Sequence, residues 1–73
     1  MTPDRIDIVV NGKPGEAGHG DTVKDLVESL GAMGPGLAVA VNDEVVRKEA
    51  LGSVRLKPGD RVEIIQAVGG GSF

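Results

Sequence analysis

Ile6, Ile8 and Val10 alternate with Arg5, Asp7 and Val9, the two-residue period of a strand with one buried face. Asn11-Gly12 follows at once, the dipeptide that best tolerates the positive φ values of a type I′ hairpin turn. Lys13 to Gly18 is therefore expected to return antiparallel. Pro14 and two glycines make it a short, weak edge strand. The period then changes. Val23, Leu26, Val27 and Leu30 stand at the i, i+3, i+4, i+7 spacing of one helical stripe, with Lys24, Asp25, Glu28 and Ser29 facing out. Thr22 is placed to cap this helix, Asp25 three residues on completes a short capping box, and Gly31 closes the other end in the left-handed conformation. A helix from residue 21 or 22 to residue 30 is too short to persist alone and must dock on the sheet.

Leu37-Ala38-Val39-Ala40-Val41 is apolar at every position, the mark of a strand that is central or covered by the helix. Asn42-Asp43 turns the chain into Glu44-Val45-Val46, a second hairpin. Residues 47–52 carry charges and one apolar anchor, Leu51, and read as an irregular connection or single turn. Val54 and Leu56 lead to Lys57-Pro58-Gly59-Asp60, a type II turn with proline and glycine at its central positions. A last strand runs over residues 61–68. Hairpin, helix, hairpin, connection and strand leave the final strand one home, centrally beside the first and parallel to it. The expectation is an α+β chain with the β-grasp (ubiquitin-like) arrangement, a mixed sheet of four to five strands packed on one main helix. A ferredoxin-like fold would need a second helix. The expected core is Ile6, Ile8, Val10, Val23, Leu26, Val27, Leu30, Val39, Val41, Val45, Leu56, Val62 and Ile64. Residues 1–68 form the domain, and residues 69–73 a flexible glycine-rich tail.

Composition narrows what such a domain does. A chain of 73 residues is near the lower limit for an unstapled core, and it has no cysteine for disulfides or thiolate sites. One histidine excludes the usual multi-histidine metal site. The acidic clusters around Asp4, Asp7, Asp43, Glu44 and Asp60 match no calcium loop, so no metal and no bound cofactor are expected. His19, between two glycines, reads as a solvated loop residue. A net charge of −3 with Phe73 as the one aromatic argues against nucleic-acid binding. Neither a membrane span nor a signal peptide is visible, so a soluble, cytoplasmic protein is expected.

The tail is the remaining feature. Gly69-Gly70-Gly71 has no side chains to bury and is a thin, flexible strand of backbone. Four residues beyond Ala67 reach roughly 13–14 Å, enough to enter a narrow cleft on another protein. Glycine-rich ends are more often frayed termini or linkers, and composition alone favours that ordinary reading.

Taken together, the motifs resemble the ThiS family, sulfur carrier proteins of thiamine biosynthesis. They are Val10-Asn11-Gly12, Thr22-Val23 with Asp25-Leu26, Leu30-Gly31, Val39-Ala40-Val41-Asn42 with Glu44-Val45-Val46, Gly59-Asp60 with Val62-Glu63-Ile64, and Ala67-Val68-Gly69-Gly70-Gly71. Each is weak singly; in this order, from Ile6 to Gly71, they are specific and turn the tail into a functional arm. The resemblance implies a protein co-substrate and not an enzyme. Its C-terminal glycine, here Gly71, is adenylated by an ATP-dependent E1-like (ThiF-like) adenylyltransferase. It then becomes a thiocarboxylate, with sulfur from a donor enzyme, and hands that sulfur to a ThiG-like thiazole synthase. Gly69 and Gly70 are the activation arm.

This sequence departs from that pattern where Ser72-Phe73 follow Gly71, because an attached Gly71 has a peptide carbonyl and no carboxylate. A pro-sequence trimmed by a peptidase, an artificial extension, and a relative that no longer carries sulfur are the competing explanations. The connection at residues 47–51 also lacks the aromatic often found there in relatives. Arg61 and Glu63, with Gln66, flank the root of the arm, and an apolar patch near Ile65, Ala67 and Val68 is the better candidate for partner contact. Alternatives are the small subunit of molybdopterin synthase, a carrier for cysteine-type synthesis, or a non-covalent β-grasp interaction module with an inert tail.

Overall fold

A computed structural model describes residues 4–66. Strand β1 (Arg5–Val10) and strand β2 (Lys13–Gly18) form the first hairpin, with Asn11 at φ 51° and Gly12 at φ 80°. Helix α1 (Val23–Ser29) follows, then β3 (Leu37–Val41) and β4 (Glu44–Val46), joined through Asn42 and Asp43, both also at positive φ. A 3₁₀ helix (Lys48–Ser53) occupies the stretch expected to be an irregular connection or single turn, and β5 (Arg61–Gln66) is the last element among the described residues. The end of the last strand at residues 67 and 68, and the boundary between domain and tail, lie outside the described residues.

The five strands lie in the order β2-β1-β5-β3-β4. β1 and β5 are parallel neighbours, with Val9 opposite Arg61 and Val10 opposite Val62, while all other pairings are antiparallel. This is the mixed sheet with one helix that the element order predicts. Pro14 lies on β2, an outer strand, where a missing N–H leaves no central ladder bond unmade.

Both ends of α1 are closed by local chemistry. The Thr22 backbone N–H donates to Asp25 Oδ2 at 3.0 Å, and the Asp25 N–H donates to Thr22 Oγ1 at 3.2 Å, the reciprocal capping box. At the other end Gly31, at φ 69°, donates to Glu28 O, and Ala32 donates to Val27 O, together a Schellman motif. The start of the helix is also tied to the segment before β5, since Val23 N donates to Val54 O at 2.8 Å and Leu56 N to Asp21 O at 2.9 Å.

The hydrogen bond from the Thr22 backbone, followed by that with the Thr22 side chain, holds the Asp25 carboxyl below its ordinary range. A depressed folded-state pKa contributes stability that is complete above the unfolded value and is lost as pH falls through the folded one. The stability difference between the wild type and Asp25→Asn is therefore expected to be constant at neutral pH and to shrink as pH falls through and below the ordinary carboxylate range. Chemical denaturation across that range measures it, and a difference independent of pH would contradict the charged cap.

The core between helix and sheet contains Ile6, Ile8, Ala17, Val23, Leu26, Val27, Val39, Val41, Leu51, Leu56 and Val62. Val10 and Ile64 pack against it partly buried. Two expected core residues are not in it. Leu30 is the C-cap of α1, past the end of the apolar stripe, and is 54% exposed. Val45 is 77% exposed, because the two-residue turn sets it opposite Ala40 and so on the face away from the helix. Val46, opposite Val39, takes the inward place. Ala17 and Leu51 complete the core.

Candidate functional site

The predicted arm, Gly69 and Gly70, the acceptor Gly71, and the flanking Ala67, Val68, Ser72 and Phe73 all lie outside the described residues. What the structure places is the strand that carries them. Arg61, Glu63 and Ile65 alternate along the face of β5 that the helix does not cover, with Val62 and Ile64 directed to the core. β5 is the middle strand of the five, between β1 and β3, so the arm follows a strand in the interior of the sheet.

On the uncovered face Ile65 is 64% exposed and sits opposite Ala38, while Glu63 sits opposite Ala40, which in turn sits opposite Val45. Ala38, Ala40, Val45 and Ile65 thus form one apolar patch bordered by Glu63, with a shallow hollow of about 90 Å³ among them. Ile65 is where the sequence places a partner contact. Val45 and the two alanines were not foreseen as part of it, although a two-residue turn at Asn42-Asp43 fixes Val45 on the face of Ala40. The small residues at alternate positions of β3 are what keep the patch shallow and open. Glu63 is exposed at its border. Arg61 is further off: its guanidinium pairs with Asp43 Oδ2 at 3.0 Å, and both side chains are exposed, so this pair contributes little to stability.

Gln66, the last described residue, donates from its side-chain amide to Ala32 O at 3.0 Å. His19 is exposed, and its backbone N–H donates to Asp4 O. A larger hollow of about 440 Å³ lies near the start of β5, with Val46, Ala50 and Val54 among its apolar walls and Arg47, Arg55 and Lys57 at its margin. It is at the opposite end of β5 from the arm. Among the described residues no group of three or more His, Cys, Asp or Glu side chains is placed to hold a metal ion. No helix among them is long and apolar enough to cross a membrane.

Comparison with known proteins agrees with this geometry. A crystal structure of the thiamine biosynthesis protein ThiS from Geobacter metallireducens superposes with a TM-score of 0.76 at 33% identity, covering 90% of this chain and all of that one. The sulfur carrier protein ThiS of Escherichia coli is 29% identical over 66 residues, covering 90% of this chain and the whole of the relative. A thiazole synthase from Magnetococcus marinus is 36% identical over 64 residues, but the chain spans only 20% of its length. A second thiazole synthase, from Paramagnetospirillum magneticum, is likewise matched over 20% of its length. The parallel β1–β5 pair and the likeness to solved ThiS structures give the chain a ubiquitin-like β-grasp fold, and the model of the ThiS family, which matches residues 8–71, places it in the ThiS family.

Proposed function

We propose that the chain is a sulfur carrier of thiamine biosynthesis, acting as a protein co-substrate through the carboxylate of Gly71 once that carboxylate is free. The observation that carries this reading is the extent of the family match, which continues through Gly69 and Gly70 to residue 71 and stops before Ser72-Phe73. A carboxylate is a poor electrophile. Attack of its oxygen on the α-phosphorus of ATP, with pyrophosphate leaving, gives an acyl adenylate. Hydrosulfide released by the sulfur donor then adds at the Gly71 carbonyl carbon, AMP departs and the S–H proton is lost, leaving a thiocarboxylate. The partner for the first step is an E1-like, ThiF-like adenylyltransferase, which uses ATP; a sulfur donor enzyme supplies the second. The acceptor is a ThiG-like thiazole synthase, a reading supported by the two thiazole synthases that contain a stretch similar to this chain.

Division of labour follows from the geometry. The exposed patch of Ala38, Val45 and Ile65 spans β5, β3 and β4, and Ile65 is one residue before the end of the described strand. Apolar patches of this kind mark docking sites. A partner seated there would have the arm within reach of its own active site, and the carrier itself would need no catalytic group.

The test compares the 73-residue chain with one ending at Gly71, each incubated with an adenylyltransferase of the sulfur-carrier type, ATP and a sulfide source. Intact mass is expected to show one oxygen replaced by sulfur in the shorter chain alone. A gain of sulfur by neither form would favour the non-covalent module, whose docking surface would be the same exposed patch. A gain by the full-length chain without removal of Ser72-Phe73 would contradict Gly71 as acceptor.

A further inference from the structure

Both type I′ turns of the sheet begin with an asparagine, and both asparagines reach across to β5. At Asn42 the ladder with β5 calls for an exchanged pair of backbone bonds with Arg61. One is made, Asn42 N to Arg61 O at 2.7 Å. The other goes to the side chain: Arg61 N donates to Asn42 Oδ1 at 3.0 Å. The same substitution occurs at Asn11. Asn11 N donates to Val62 O at 2.9 Å, and in a parallel ladder the next bond would run from Ile64 N to the Asn11 carbonyl. The positive φ of Asn11 takes the backbone out of the strand at that point, and Ile64 N donates instead to Asn11 Oδ1 at 2.8 Å. An asparagine is suited to both demands, since it tolerates the left-handed region and carries an acceptor on a short stem.

The consequence is different at the two ends. Asn42 pins the start of β5. Asn11 supplies a bond on the β1 side beyond the last backbone pairing of β1 with β5, at Val10 and Val62. From there to Gln66 the strand pairs, among the described residues, with β3 alone. Gln66 then ties itself to Ala32 O, just past the helix. We infer that Asn11 and Gln66 are positioning residues for the arm: they hold the free-sided end of β5 in register as far as Gln66, the last described residue before it. This rests on the proposed activation of Gly71, because a fixed strand end matters to the reaction only if a partner must receive the terminus.

The test uses chains ending at Gly71. Asn11→Gly keeps the backbone conformation and deletes the acceptor, whereas Asn11→Asp keeps both. Gln66→Leu removes the second tether at an exposed site where little stability is at stake. In Asn11→Gly, amide exchange at Ile64 is expected to rise about tenfold relative to Glu63, the loss of one net hydrogen bond. Glu63 is the internal standard because its own place in the ladder is opposite β3. In the adenylation assay, Asn11→Gly and Gln66→Leu are each expected to lower kcat severalfold at unchanged KM, since the docking patch is intact, and Asn11→Asp to restore it. A merely structural role would alter melting temperature and leave kcat at the assay temperature alone. Faster exchange at Ile64 with unchanged kcat overturns the positioning role of Asn11, and unchanged kcat in Gln66→Leu overturns that of Gln66. A wild-type chain that is not adenylated at all overturns the proposed function instead, while exchange at Ile64 still reports whether Asn11 holds the strand.

Discussion

Leu51→Ala is expected to destabilise the domain by about 2–5 kcal/mol, the range for emptying a large apolar site that cannot fully collapse. Leu51 is 1% exposed and one of the largest fully buried side chains, although it comes from a 3₁₀ helix that opens on the charged residues Lys48 and Glu49. Marginal stability makes this severe. A chain of this length holds on the order of 4–11 kcal/mol in total, so one cavity could remove half of it or more. Thermal unfolding should register a fall in Tm of at least about 8 °C, given about 4–8 °C for each kcal/mol in a domain of this size. Lys48→Ala, on the same 3₁₀ helix but exposed, should change little. A Leu51→Ala domain that melts within a few degrees of the wild type would mean that the connection does not close the core.

Most of the architecture was legible because several local signals agreed with one another. Asn11-Gly12 and Asn42-Asp43 specify two-residue turns, Thr22 and Asp25 specify the helix start, and Gly31 its end; each is found in that role. Gly59 at φ 86°, with Asp60 N donating to Lys57 O, confirms the turn before the last strand. Periodicity misleads where it runs past the end of its element. Leu30 fits the helical stripe by spacing, but α1 has already ended there, and the closing turn brings the side chain out. Val45 and Val46 are equally apolar, and nothing in their composition separates them. Turn length does, by fixing which of them shares a face with Val39. The candidate site was legible in part for the same reason. Ile65 is visible as an apolar residue on the wrong face of its strand, whereas the rest of the patch depends on strands distant in sequence coming together. The tethers of Asn11 and Asn42 were hidden altogether, since asparagine in a turn is accounted for by φ alone.

Gly70→Trp, in a chain ending at Gly71, is expected to abolish activation while leaving the body folded. The core cluster among the described residues is built within residues 4–66, and a substitution at residue 70 leaves every one of those side chains unchanged. What it changes is the cross-section of the segment that a partner must admit. Glycine presents backbone alone, whereas tryptophan adds the largest of the side chains one residue before the reacting carbon. A misplacement of about 1 Å at a reacting group can cost about 100-fold in rate, and an indole in a cleft shaped for bare backbone would displace the carboxylate by more. The measurement is the rate of pyrophosphate release by the adenylyltransferase with the wild-type and Gly70→Trp chains at matched concentrations. The account predicts a loss in kcat/KM of about 100-fold or more, about 2.7 kcal/mol of transition-state stabilisation. An undiminished rate would show that the terminus is not threaded into the partner, and the carrier arm would have to be given up.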